Sequence, residues 1–231
     1  MSKALFVFVA LLTGCAAPAE ISRPPKSQVR VDETYTIDPS APPRLAVVVG
    51  TVVVADSGGV ANHLGGVPSD AAQTYRAFFG ERFPPVASEA AHLSEVRALG
   101  SAPYDRAGVG LRPADGVRLA FDGFDPDLVL FLDTLHVGRA VYAGVVRTGP
   151  NGEFLGGGNH EALRLDADVV LWDNRTGREV AAGRLDSDRS LGGLPAGRRA
   201  YEAAIGRFVE QLARFTPVDL RSEVQRRPRR R

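Results

Sequence analysis

Two runs of ten residues, 45–54 (LAVVVGTVVV) and 128–137 (LVLFLDTLHV), are apolar on both of their alternating faces. Successive side chains of an extended chain point to opposite sides, so a strand with one wet face alternates apolar and polar residues. These runs do not alternate. They read as strands covered on both sides, in the middle of a sheet, and the rest of the chain must supply that cover.

Ser69 offers a cap for a helix over 70–82, which places Ala72, Tyr75, Phe79 and Phe83 near one face and is ended by Pro84-Pro85. A second helix is expected over 88–99, stopping at Gly100. Residues 101–116 read as loop, because Pro103, Gly108, Gly110 and Pro113 interrupt any period. The Gly-rich stretch 148–158 reads as a mobile hairpin loop. Leu163, Leu165, Ala167 and Val169 then alternate with Arg164, Asp166 and Asp168, the pattern of a strand with one wet face. Asp173-Asn174-Arg175-Thr176-Gly177 is turn chemistry that leads into a strand over 178–186, so an antiparallel hairpin is expected. Tyr201, Ile205, Phe208, Leu212 and Phe215 form one apolar stripe on a helix over 197–215. The expected fold class is α/β or α+β: a mixed sheet with an antiparallel hairpin, two helices after the first strand, and a C-terminal amphipathic helix packed on the sheet.

The ends of the chain carry different information. Lys3 is followed by nine apolar residues, 4–12, too few to span a bilayer as a helix, and then by Leu12-Thr13-Gly14-Cys15. That order is the layout of an export signal. Leu12 to Cys15 resembles the lipobox of bacterial lipoproteins. The resemblance implies cleavage between Gly14 and Cys15, acyl chains such as palmitate on Cys15, and attachment to a membrane. Cys15 is the chain's one cysteine, so no intramolecular disulfide competes for its thiol. Ala16 stands where many lipoproteins kept in the inner membrane have Asp, which implies the outer membrane, facing the periplasm. Residues 1–14 are thus expected to be removed, 15–43 to form a lipidated, flexible tether rich in Pro and Ser, 44–218 to form one globular domain, and 219–231 to form a basic disordered tail.

The net charge of +1 hides an asymmetry. Between Cys15 and Leu220 acidic side chains outnumber basic ones by five, whereas residues 221–231 hold six Arg and one Glu. Arg226, Arg227, Arg229, Arg230 and Arg231 offer guanidinium groups to an anionic partner, phosphate or carboxylate. An exported, mildly acidic body without interleaved basic and aromatic residues argues against nucleic acid.

Catalytic motifs are poorly matched. Lysine occurs only at Lys3 and Lys26, so residues 44–218 supply no Schiff-base or phosphate-loop lysine. His160-Glu161 starts like a zinc-protease helix, but Arg164 stands where the second His is required. His63, His92, His136 and His160 are far apart, and neither a metal nor a cofactor is expected. The carboxylates left for an enzyme are Asp133, set among apolar neighbours, and the pairs Asp166/Asp168 and Asp186/Asp188, which Arg164 and Arg184 can neutralise. Trp172 reads as a core cap or as a surface for stacking a ligand.

Residues 127–137 (DLVLFLDTLHV), together with residues 165–183, which contain WDNRTGREVAAG, resemble periplasmic assembly lipoproteins with a CsgG-like or TolB-N-terminal-like α/β domain. The Gly-rich loop departs from that pattern, and no catalytic residue carries over. The resemblance implies a non-enzymatic accessory or interaction subunit of a cell-envelope assembly or transport system, with an envelope protein as partner. The competing expectations are a carrier of a lipid or small ligand, which needs a large apolar cavity, and an envelope hydrolase working through the carboxylates.

Overall fold

A computed structural model of the chain describes residues 26–99, 112–143, 150, 158–192 and 196–221. Its strands are β1 (Gln28–Val31), β2 (Arg44–Val54), β3 (Glu95–Leu99), β4 (Leu128–Tyr142), β5 (His160–Asp173) and β6 (Arg178–Ser190), and its helices are α1 (Ser57–Leu64), α2 (Ala71–Ala90) and α3 (Arg198–Phe215). The strands form one sheet in the order β1-β6-β5-β4-β2-β3. β2 runs parallel to both β3 and β4, and the remaining pairs are antiparallel. The fold is a mixed α+β arrangement with α3 packed on β5 and β6.

Both apolar runs lie inside the sheet, and the reason is visible on its two faces. Leu45, Val47 and Val49 of β2 and Leu128, Leu130 and Leu132 of β4 join one core beneath the helices. Ala46, Val48, Val129 and Phe131 join a second, smaller core on the opposite side. There the cover is a coil that brings Leu119 and Phe124 against Trp172. Asn174 fastens that coil: its amide accepts from Leu119 N at 2.7 Å and donates to the carbonyls of Leu119 and Pro126 at 3.0 and 3.1 Å. Under the helices, Tyr75, Phe79 and Phe83 of α2 meet Tyr201 and Phe208 of α3.

Two helix readings and both limits of the domain change. Pro84 and Pro85 do not end the helix, and α2 runs through them to Ala90. Tyr75, Phe79, Phe83 and Ala87 recur every four residues and all are buried, so continuing the packed stripe outweighs the two main-chain bonds that the prolines forfeit. The helix expected over 88–99 is instead the last turn of α2 followed by β3, because residues 95–99 pair with 44–48 of β2. Glu, Arg, Ala and Leu favour helix in isolation, and the free edge of β2 overrides that preference.

The boundary at residue 44 also moves. Residues 28–31, read as tether, pair with 181–184 of β6, and Tyr35 and Ile37 pack against the core. At the other end Leu220 bridges to Ala91, and Arg221 donates to the carbonyls of Ala91 and Leu93, so the fold extends past residue 218. Finally, β4 contains an irregularity between Leu132 and Leu135. It reverses the alternation: Phe131 lies on the coil side, Leu135 joins the core beneath the helices, and His136 falls on the side away from them.

Candidate functional site

The coil covers only part of the sheet's second side. The rest is built from the even-numbered residues of β5 and β6, which the pleat directs away from the helices. Register sets Asp166 opposite Asp186, Arg164 opposite Asp188 and Asp168 opposite Arg184, with His136 of β4 opposite Asp166. Two carboxylates facing each other repel, and the neighbouring arginines resolve the conflict. Arg164 forks onto Asp186, with Nε donating to Oδ1 at 2.9 Å and Nη2 donating to Oδ2, while its Nε lies 3.8 Å from Asp166 Oδ2. Arg184 Nη2 donates to Asp166 Oδ1 at 2.5 Å. Asp166 and Asp186 are only 8% and 5% exposed. The bond to Asp186 raises the pKa of Arg164 above its ordinary value, against the opposing effect of burial.

The N-terminal segment is tied to the same aspartate. Lys26 N donates to Asp186 Oδ2 at 3.2 Å, Ser27 Oγ donates to Asp186 O at 3.1 Å, and Asp186 N donates to Ser27 Oγ at 3.0 Å. At the far end of the same side Tyr142 packs beside His160 with ring centroids 5.3 Å apart. Burial, and then the Asp188 carboxylate, push the Tyr142 phenol up to about 12.

This arrangement is a network of ion pairs on the open side of the sheet, with the two facing carboxylates engaged by guanidinium groups. The Asp186 carboxylate accepts from Arg164 and from Lys26 N, so its oxygens are occupied by strong donors. Asp168 and the guanidinium of Arg184 remain accessible on the same side.

The other residues singled out in the sequence do not converge here. Asp133 sits in the irregular stretch of β4, half-buried. His92 Nε2 lies 2.8 Å from the carbonyl of Pro39, and His63 lies in the last turn of α1. Among the described residues no group of three or more His, Cys, Asp or Glu side chains is placed to hold a metal. Trp172 caps the second core and donates from Nε1 to Val117 O at 3.2 Å, which removes its face from ligand stacking. Gly14, Cys15, Arg226, Arg227, Arg229, Arg230 and Arg231 lie outside the described residues, as does most of the stretch 148–158.

Sequence reasoning missed three connecting groups. Asn174 was legible only as a turn residue, although a buried amide that fastens a coil matches the Asx chemistry of that turn. Asp56 accepts from Gly59 N at the start of α1 and pairs with Arg139 at 3.0 Å, joining that helix to β4. Glu179 joins Arg30 of β1 at 2.7 Å to Arg112 at 3.3 Å. A polar cavity of about 590 Å³ also opens between α3 and the end of β6, lined by Asp188, Arg207, Glu210, Arg214 and Asp219.

No known protein family and no curated protein matches the chain. Among solved structures, two of the PelC dodecamer from Paraburkholderia phytofirmans are similar to it at 11% and 12% identity, with TM-scores of 0.34 and 0.31. They cover 81% and 82% of this chain, which spans 98% of each of theirs. A neuraminyllactose-binding hemagglutinin homolog from Helicobacter pylori is similar at 7% identity and a TM-score of 0.29, covering 79% of this chain and 85% of its own. At these scores the likeness carries no functional argument, and the reading below rests on this chain alone.

Proposed function

We propose that the protein is an exported lipoprotein, acylated at Cys15 and held at the periplasmic side of the outer membrane. There it serves as a non-enzymatic accessory subunit of a cell-envelope assembly or transport system. Its contact surface for an envelope protein partner is the uncovered side of β4, β5 and β6.

The observation that carries this reading is the pairing of Asp166 and Asp186 with Arg184 and Arg164. Pairing of this kind engages the carboxylate oxygens with guanidinium donors, where a hydrolase needs a carboxyl oxygen facing its substrate. It also leaves a patterned array of charge on the open side of the sheet, which suits recognition by a partner of complementary pattern. The space between sheet and helices is filled by Tyr75, Phe79, Phe83 and Phe208, where a lipid carrier needs room. Among the described residues no helix is long and apolar enough to cross a membrane. Anchoring in this reading falls to the acyl chains on Cys15.

The test is crosslinking in intact envelopes followed by mass spectrometry of the captured complex, with the native chain, Cys15→Ala and Arg184→Glu compared. One defined envelope partner is expected with the native chain, with recovery reduced at least tenfold by either substitution. Equal recovery with Arg184→Glu overturns the contact surface. Absence of acyl mass on the N-terminal peptide overturns the anchor.

A further inference from the structure

The N-terminal strand does more than extend the sheet. β1 is four residues long, lies at the sheet edge and, among the described residues, pairs with residues 181–184 of β6. Its seat on β6 is the small-residue run Ala181-Ala182-Gly183. Gly183 has φ of +151°, and a Cβ there would lie 2.1 Å from the carbonyl oxygen of Gln28 and 2.8 Å from Val29 Cα. The approach of β1 therefore requires glycine at 183. Further contacts flank the seat: Lys26 and Ser27 bind Asp186, Asp32 N donates to Val180 O at 2.8 Å, and Arg30 pairs with Glu179.

We infer that β1 is a clip that sets how far the folded body stands from the membrane. The inference rests on the anchoring of Cys15 proposed above. Lys26, the first of the described residues and one that is fastened to the body, lies eleven residues after Cys15. Whatever path the intervening residues take, a fully extended chain of that length reaches at most about 40 Å. With β1 undocked, the next anchorage is Tyr35, packed against the core, and the limit rises to about 70 Å. A short edge strand is also the element whose release costs the rest of a sheet least.

The experiment uses the full-length protein purified from envelopes and reconstituted in phosphatidylethanolamine/phosphatidylglycerol vesicles that contain an acceptor-labelled lipid. A donor fluorophore is placed at exposed Val67 through Val67→Cys, and acylation of Cys15 is checked by mass spectrometry of the N-terminal peptide. Gly183→Val displaces β1 by steric conflict, and Arg30→Pro removes an N–H from the middle of β1, together with the Arg30–Glu179 pair, while every residue of β6 stays unchanged. Hydrogen exchange is followed over residues 26–34 and over 128–142.

Both variants are expected to lose protection over 26–34, to keep it over 128–142, and to lower energy transfer to the membrane at least twofold. Lost protection with unchanged transfer overturns the inference, as does retained protection in both variants. Loss of protection over 128–142 in both variants overturns it too, because β1 would then be part of the cooperative core. An unacylated Cys15 defeats the anchor reading separately, and the exchange result for β1 stands without it.

Discussion

On β5 and β6 the two sides of the sheet are one residue apart in sequence and opposite in chemistry. Leu163, Leu165, Ala167 and Leu185 point into a core with Tyr201, Ile205 and Phe208, while Arg164, Asp166, Arg184 and Asp186 form an ion-pair array on the other side. The apolar side gains by removing area from water, and nothing in it specifies a geometry beyond fit. The charged side gains little stability from its pairs, since taking charges out of water offsets most of their attraction. Its strict donor and acceptor pattern is suited to recognition instead. The contrast separates the part of the molecule that holds it together from the part proposed above to meet a partner.

Three changes break or sharpen that contrast, and the largest falls on the helix side. Phe208→Ala leaves a cavity among Phe79 and the leucines of the sheet, and should lower unfolding free energy by about 3–5 kcal/mol in a denaturant titration. A loss under about 1 kcal/mol would mean that α3 is not integral to the core. On the charged side Arg164→Gln strands the Asp186 carboxylate. A cost of about 2 kcal/mol is expected, below that of a fully buried pair because Arg164 is partly exposed. The double variant with Asp186→Asn should recover at least half of it, and simple additivity of the two losses would refute the coupling.

The smallest effect is confined to alkaline pH. Tyr142 has its phenol raised from 10.0 to about 12, so the folded state holds that proton more tightly than the unfolded state. Its contribution is complete below pH 10 and is lost as pH rises toward 12. Tyr142→Phe should therefore match the native protein near neutrality and lose less stability between those values. Parallel alkaline curves for the two proteins would show that Tyr142 titrates normally.

Much of this architecture was legible before any coordinates. The two-sided apolar runs became β2 and β4, the hairpin formed around Asp173 to Gly177, and the stripe from Tyr201 to Leu212 became the buried face of α3. These signals are local and strong, because periodicity reports which sides of an element are dry. β3 and β1 were not legible, since each is a short segment that becomes a strand only by meeting a distant edge. The prolines in α2 misled for the same reason: a local rule met a longer stripe of Phe79, Phe83 and Ala87. At the candidate site the sequence supplied the residues and the compensating role of Arg164 and Arg184. It did not supply the register that sets Asp166 against Asp186, which depends on pairing between strands.

The parallel pairing of β2 with β4 has a kinetic consequence. Leu45 meets Leu128, more than eighty residues later in the chain, whereas β4, β5 and β6 form an antiparallel series of near neighbours. Closing the longer loop costs more entropy before any contact repays it, so the three-stranded meander forms before β2 docks on it. In a chain that emerges N-terminus first, the Leu45-to-Val54 segment waits in water, apolar on both sides, until residue 137 has arrived. For that interval it is the part of the protein most in need of a holding chaperone.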